Sequence, residues 1–138
     1  MKLLLDTNIV LDYLGVNIGF SEEAKDVIQC AIVEDAIEII SASQVTDIYY
    51  VAKKRLNAEK ALELLEGLQT YIKIVPVTDI EINKAIQRRW KDFEDAVQYS
   101  VAETNNVDII ITRNGKDFEE NTIPCMTPKE FLEYYEAI

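Results

Sequence analysis

Three short aliphatic runs, each ending abruptly in polar residues, constrain the fold of this chain most. The runs and their polar tails are Leu3–Leu5 with Asp6-Thr7-Asn8, Ile37–Ile40 with Ser41-Ala42-Ser43, and Ile109–Ile111 with Thr112-Arg113-Asn114. Short apolar runs are typical of strands buried in a parallel sheet. Because the carboxyl ends of parallel strands meet at one edge, the usual place for a ligand, the pattern predicts an acidic cluster at that edge.

Helical patterns separate these strands. Capping boxes at Ser41/Gln44 and Thr78/Glu81 predict two helix starts, and further strands are predicted over residues 73–77 and 123–126. Strands that alternate with helices imply right-handed crossovers and a parallel sheet covered on both faces. We therefore expect an α/β fold, a three-layer α/β/α sandwich. The chain has 138 residues, of which 49% are hydrophobic, so residues 1–138 suit a single domain.

The composition excludes several kinds of chemistry. The chain contains no His, which excludes His acid–base catalysis, Ser/His or Cys/His nucleophilic pairs and most zinc sites. Cys30 and Cys125 lie far apart in apolar surroundings and are expected to be buried free thiols. The sequence shows no signal-peptide pattern and no apolar stretch of the ~20 residues that cross a bilayer. We expect a soluble, cytoplasmic protein with no membrane partner.

The net charge of −11, from 25 acidic and 14 basic residues, argues against a simple basic nucleic-acid-binding module. The basic residues nevertheless fall in three clusters close in sequence to candidate acids. Any one cluster is compatible with a solvated helix end, whereas the three together favour a rim that follows phosphates around a metal centre. The candidate residues of this rim are Lys53, Lys54, Arg55, Arg88, Arg89, Arg113 and Lys116.

Asp47 and Asp95 both fall off the apolar stripe of their predicted helices. Taken singly, each is an ordinary exposed acid. Taken in order, four motifs resemble the PIN-domain family of metal-dependent nucleases over essentially the whole chain. The motifs are Asp6-Thr7-Asn8, Thr46-Asp47-Ile48-Tyr49-Tyr50, Asp92-Phe93-Glu94-Asp95-Ala96 and Thr112-Arg113-Asn114-Gly115-Lys116-Asp117-Phe118. The most similar branch of the family has the helix start Asp92-Phe93-Glu94-Asp95, the loop from Thr112-Arg113-Asn114 to Asp117-Phe118, and a proline-capped last helix, here Thr127-Pro128.

This resemblance implies a five-stranded, mainly parallel sheet with acids at its carboxyl edge. Asp6 matches the first acid of the family and Asp95 the third. Asp47 stands where Glu is usual, so its shorter side chain is expected to reach a metal through water. Asn114 stands at the fourth position, which is commonly Asp in the family, and Asp117 is a candidate to supply the missing charge.

The resemblance also suggests roles for three neighbouring residues. Asp92 either assists Asp95 or caps the helix. Asn8 and Thr112 orient the carboxylates or contact phosphate.

The chemistry of such a cluster supports a metal independently. Two ionised carboxylates about 4 Å apart repel by roughly 4 kcal/mol at an effective dielectric of about 20. Oxygen ligands without His or Cys select Mg²⁺ or Mn²⁺, which can activate a water against a phosphodiester. The resemblance implies RNA as substrate, a VapC-like toxin with an antitoxin partner, and a homodimer. Tyr49, Tyr50 and Trp90 either stack on bases or pack in the protein.

Two alternatives stay open at this stage. Asn114 in place of an acid suits a catalytically degenerate PIN domain that binds RNA or protein without cleaving. Asp6-Thr7-Asn8 is also similar to the signature of haloacid-dehalogenase phosphatases, in which the first Asp is the nucleophile. That family requires a second acid where this chain has Asn8.

Overall fold

A computed structural model describes residues 1–17, 21–33 and 36–137. The strands in these residues are β1 (Lys2–Leu5), β2 (Ile37–Ser41), β3 (Ile72–Val75), β4 (Ile109–Ile111) and β5 (Cys125–Met126). The α-helices are α1 (Thr7–Tyr13), α2 (Ser21–Val33), α3 (Ala42–Arg55), α4 (Ala58–Leu68), α5 (Asp79–Arg88), α6 (Phe93–Thr104) and α7 (Pro128–Ala137). A 3₁₀ turn, Gly115–Asp117, follows β4.

The five strands form one sheet in the order β3-β2-β1-β4-β5, and every pairing is parallel. Leu4 of β1 lies opposite Ile39 on one side and Ile110 on the other. The chain builds the sheet outward from β1 to β3, then returns to the other side of β1 for β4. Because the strand order reverses between β1 and β4, a crevice opens beyond their carboxyl ends. The predicted α/β fold with a five-stranded parallel sheet is confirmed.

Alternating side chains of β1 separate the core into two layers. Leu3 and Leu5 pack with buried residues of α1, α2, α3, α4 and α7, whereas Leu4 packs with α5 and α6. This alternation follows from the period of two residues along a strand. The sheet is therefore covered on both faces, as predicted for a three-layer sandwich.

Both predicted capping boxes are present, at Ser41/Gln44 and Thr78/Glu81. Two predicted strands were too long. The third strand spans Ile72–Val75 instead of residues 73–77, and it ends before Pro76, which lacks the N–H that a sheet needs. The last strand is confined to Cys125–Met126, since the N–H of Ile123 donates to the Tyr99 hydroxyl.

Cys125 is a half-buried free thiol, and the side chain of Cys30 lies outside the described residues. Over residues 1–17, 21–33 and 36–137, no helix is both long and apolar enough to span a membrane.

Candidate active site

Asp6 lies where β1 turns into α1 and is held by three hydrogen bonds. Its Oδ1 accepts from the N–H of Thr7 and its Oδ2 from the hydroxyl of Thr112, both at 2.8 Å. Its own N–H donates to the carbonyl of Ile111 at 2.9 Å. The carboxylate is thereby fixed in the crevice between the ends of β1 and β4, and it remains half-buried.

Two buried polar residues brace this position. The hydroxyl of Thr112, which donates to Asp6, also accepts from the N–H of Asn114 at 3.2 Å. Gln44 uses its Oε1 to cap α3, while its Nε2 donates to the carbonyl of Leu5 at 2.7 Å. The sequence predicted that Thr112 lies beside the carboxylates, whereas for Gln44 it predicted only the contact that caps α3. The first turn of α3 is therefore tied to the end of β1.

The amino end of α6 brings further acids to the crevice. Asp92 caps the helix, with its Oδ1 accepting from the N–H of Asp95 at 3.0 Å. Burial raises the pKa of Asp95 from 3.8 to about 7, and the charges of Asp6, Asp92, Asp117 and Glu94 add to the rise. The charges of acids from the end of β1, from the start of α6 and from the loop after β4 thus raise the pKa of one half-buried carboxyl group. The predicted convergence of Asp6 and Asp95 is present.

Glu94 belongs to the same cluster and was missed from the sequence. Burial raises its pKa, and the charges of Asp47, Asp92 and Asp6 raise it further. It therefore connects Asp47 on α3 with the acids around Asp6. The available signal was the presence of three acids in the four residues Asp92-Phe93-Glu94-Asp95.

The loop after β4 offers two candidates for the fourth position. Asn114 is exposed, and its side chain makes no capping hydrogen bond to the 3₁₀ turn that follows it. Asp117 ends that turn, and its charge contributes to the raised pKa of Asp95. Asn8, in the first turn of α1, is exposed, and its orienting role stays a prediction.

The side chains around Asp6 and Asp95 offer carboxylate, amide and hydroxyl oxygens, which are the ligand types that a hard divalent cation such as Mg²⁺ prefers. Within the described residues, no three Asp, Glu, Cys or His side chains lie close enough together to hold a metal ion as they stand. Mg²⁺ usually keeps several waters and takes only one or two carboxylates from the protein. The cluster therefore fits a largely hydrated ion better than a closed protein cage.

Arg88, which was predicted to contact RNA, is engaged in contacts within the protein. Its side chain is only 10% exposed, forms ion pairs with Glu103 and Glu120, and donates to the Ser100 hydroxyl at 3.1 Å. The guanidinium also lies 4.7 Å from the centre of the Tyr99 ring. These contacts commit Arg88 to joining α5 and α6.

Arg55 and Arg113 also have structural partners. Arg55 donates to the carbonyl of Val16 and the Oδ1 of Asn17, at 3.1 and 2.8 Å. The Nε of Arg113 lies 3.4 Å from the Oδ2 of Asp12, whose pKa is raised by burial and lowered in part by Asn17 and Arg113. Both arginines thus help to fix α1 and the residues that follow it.

The remaining candidate bases, Lys53, Lys54, Arg89 and Lys116, are exposed. Their RNA contacts stay predictions. Trp90 is partly buried against Tyr99 and Phe118, which favours the packing alternative for this residue. Tyr50, in contrast, is 72% exposed.

Comparison with known proteins gives one family and several relatives. The family model described as "PIN domain" matches residues 2–116. Ribonuclease VapC1 of Aquifex aeolicus (strain VF5) is 28% identical over 145 residues, covering 99% of this chain and 97% of that protein. DNA-bound VapBC from Salmonella typhimurium is similar in structure, with a TM-score of 0.70, 19% identity and coverage of 93% of this chain and 98% of that one. A toxin–antitoxin complex from Klebsiella pneumoniae gives a TM-score of 0.66, 24% identity and coverage of 91% and 97%.

Proposed function

The chain belongs to the PIN-domain family, and on that premise we propose that it is a metal-dependent endoribonuclease that hydrolyses phosphodiester bonds in RNA. The observation that carries the proposal is the gathering of acids from three segments, the end of β1, the start of α6 and the loop after β4, around the half-buried Asp95 carboxyl group. Like charges gathered in a crevice repel one another, and a bound cation relieves that repulsion. Membership of the family sets aside the phosphatase alternative.

In this proposal Asp6, Asp47, Asp95 and Asp117 are the catalytic carboxylates, of which one or two would contact Mg²⁺ or Mn²⁺ directly and the others through waters bound to the ion. Such an ion, when bound, supplies an activated water and stabilises charge on the phosphate oxygens. Thr112 keeps Asp6 in one orientation, because its hydroxyl donates to Oδ2. Asp92 caps α6 and adds negative charge, and Asn114 is a neutral candidate ligand.

Lys53, Lys54, Arg89 and Lys116 are the proposed contacts to the RNA backbone, because their side chains are exposed. Arg113 is a weaker candidate, since it also pairs with Asp12. With a net charge of −11, the protein must meet RNA through such a local patch. We expect the affinity for RNA to fall steeply as salt rises.

We further propose a regulatory partner. Ribonuclease VapC1 and the similar solved complexes from Salmonella and Klebsiella support an antitoxin protein that restrains this nuclease in the cytoplasm, with a homodimer as the assembled form. Expression of the chain alone should stop growth, and co-expression of a protein encoded beside it should restore growth. Unrestricted growth on expression of a folded, RNA-cleaving protein would contradict the toxin role.

RNA cleavage with and without a chelator tests the nuclease proposal. The wild type should cleave single-stranded RNA in Mn²⁺ and lose this activity in excess EDTA. Asp6→Asn should be inactive in both conditions. Asp26→Asn, the same change at an exposed acid of α2, is the matched control and should retain activity.

Robust cleavage in excess EDTA would refute the metal-dependent mechanism. The alternative of a catalytically degenerate PIN domain is favoured by one observation, because Asn114 stands where the family commonly has an acid. A wild type that binds RNA but neither binds Mn²⁺ nor cleaves would identify the chain as a degenerate binding module.

A further inference from the structure

The side-chain amide of Gln44 joins the carboxyl ends of two neighbouring strands. The pairing of β1 with β2 runs as far as Leu4 and Ile39. Beyond that pair, the N–H of Ser41, the last residue of β2, donates to the Oε1 of Gln44 at 2.8 Å. The Nε2 of Gln44 donates in turn to the carbonyl of Leu5, the last residue of β1, at 2.7 Å. The amide therefore bridges the two strand ends as a peptide unit would.

The other side of β1 is joined to its neighbour by the backbone. Leu5 pairs with Ile111 of β4, and the N–H of Asp6 donates to the carbonyl of Ile111 at 2.9 Å. On the side of β2, in contrast, a side chain makes the connection. A substitution of Gln44 can therefore remove the link between β1 and β2 at this edge while the link between β1 and β4 remains.

Capping of α3 accounts for only part of these contacts. Gln44 is only 2% exposed, and a buried amide is tolerated when its hydrogen bonds are made. The capping box uses its Oε1 alone. Its Nε2 is not needed for the cap, yet it donates to the carbonyl of Leu5 and lies at a longer 3.4 Å from the hydroxyl of Thr7. The contacts of Nε2 thus hold the chain on both sides of Asp6.

Gln44 also lies close to the second acid of the proposed site. Asp47 follows it by three residues on α3, which is about one helical turn. Besides burial, the charges of Asp47 and Asp6 both raise the pKa of Glu94, so the two acids border one crevice. The amide of Gln44 therefore connects the segment that carries Asp6 with the helix that carries Asp47.

We infer that Gln44 is a positioning residue, which sets the spacing between Asp6 and Asp47 and thereby the affinity of the site for a divalent cation. Groups that hold a ligand must stay within roughly 0.5 Å of their working geometry. The side chain of Asp47 is short, so its distance from the ion depends on where α3 sits against β1. This inference rests on the proposed metal-dependent function and adds to it the residue that aligns two of its acids.

Titration calorimetry with Mn²⁺ tests the inference, at a temperature where each protein is folded. Gln44→Met keeps the size of the side chain and removes the amide. It should bind Mn²⁺ on the order of tenfold more weakly, because loss of a residue that holds metal ligands in place typically costs about 10–100-fold in affinity. Ser41→Ala is the matched control, since it removes the hydroxyl that caps α3 and keeps the N–H that donates to Gln44.

The control separates positioning from stability. Both variants weaken the same capping box, so both should lower the melting temperature, but Ser41→Ala should keep the wild-type affinity for Mn²⁺. Binding of an RNA oligomer in EDTA gives a second readout. It should be unchanged in Gln44→Met, because the exposed bases proposed to contact RNA lie elsewhere.

A double-mutant cycle shows whether the effect passes through Asp47. In an Asp47→Asn background the spacing no longer matters, so Gln44→Met should change the Kd for Mn²⁺ by less than about threefold. Equal losses in the wild-type and Asp47→Asn backgrounds would contradict the coupling of the two acids through Gln44.

Gln44→Asn extends the test to a milder change, and it replaces Gln44→Met if that variant fails to fold. Its shorter amide cannot reach both strand ends, so Mn²⁺ binding should again weaken. Wild-type affinity in the folded Gln44 variants, or an equal loss in Ser41→Ala, would overturn the inference and leave the nuclease proposal standing. A wild type that binds no Mn²⁺ would remove the metal-dependent proposal and this inference with it.

Discussion

Glu38 gives the sharpest prediction about stability. It lies in β2 between Leu3 and Ile72 of the neighbouring strands, and it is only 2% exposed. Neither of its carboxylate oxygens has a hydrogen-bond partner in the protein. Burial raises its pKa from 4.5 to about 8. At pH 7 the folded protein therefore holds this group mostly protonated, whereas the unfolded chain ionises it.

The sign and size of the effect follow from that difference in pKa. Because the folded pKa is the higher one, the stabilising contribution is fully present below about pH 4.5 and is lost as pH rises through about 8. A shift of one pKa unit corresponds to about 1.4 kcal/mol. The loss is thus roughly 3 kcal/mol at pH 7 and approaches about 5 kcal/mol above pH 9, as an order of magnitude. Typical domains have only about 5–15 kcal/mol of stability in total.

Glu38→Gln isolates this contribution, because a glutamine keeps the shape and does not titrate. Urea unfolding of wild type and variant should give similar free energies near pH 4.5 and a growing advantage for the variant up to pH 9. Glu133→Gln, at an exposed position of α7, is the control and should show no such trend. A difference between Glu38→Gln and wild type that does not change with pH would refute the reasoning.

Three further predictions concern the active site and its surroundings. Asp117→Asn should weaken Mn²⁺ binding, measured by titration calorimetry, more than Asn114→Ala does; the reverse order would identify the carbonyl oxygen of Asn114 as the ligand. Thr112→Val should lower the free energy of unfolding by about 1–3 kcal/mol, because it removes the hydroxyl that donates to the half-buried Asp6 carboxylate, and Thr112→Ser should restore most of that loss. Arg88→Met should lower the free energy of unfolding by about 1–3 kcal/mol, a range that allows for the partial exposure of the acids with which Arg88 pairs. Arg89→Met, at the exposed end of α5, should lower it by less than about 0.5 kcal/mol. Equal costs for the two arginine variants would contradict the structural role of Arg88.

The fold was predictable because its signals are local. The leucines of β1 and the isoleucines of β4 mark buried strands without reference to the rest of the chain. Ser41/Gln44 and Thr78/Glu81 fix two helix starts through contacts three residues apart. Parallel pairing then placed Asp6 and Thr112 at one edge of the sheet, and the observed hydrogen bond between them spans 106 positions in sequence.

The parts that escaped prediction depend on distant partners. Arg88 looks like an exposed helix end in sequence, but Glu103 and Glu120 lie 15 and 32 residues further on. Glu38 was counted within an apolar run, because its burial follows from the strands on either side of it. In the sequence, Glu94 looks like an ordinary acid in the first turn of a helix. Its nearness to Asp47 of α3 appears only in the folded structure. The local sequence pattern does not show the partners of Arg88 or the burial of Glu38, and for Glu94 it shows only the run of neighbouring acids.

Thermal melts of wild type and Asp6→Asn, each in EDTA and in saturating Mn²⁺, test the proposed metal centre most directly. Without metal, the variant should melt at the wild-type temperature or higher, because it removes one charge from a crowded acidic cluster. Mn²⁺ at about 100 times its Kd should stabilise the wild type by roughly 2.7 kcal/mol and raise its melting temperature, with little effect on the variant. An equal rise in both proteins, or unfolding of Asp6→Asn in EDTA, would show that Asp6 is a structural helix cap and not a metal ligand.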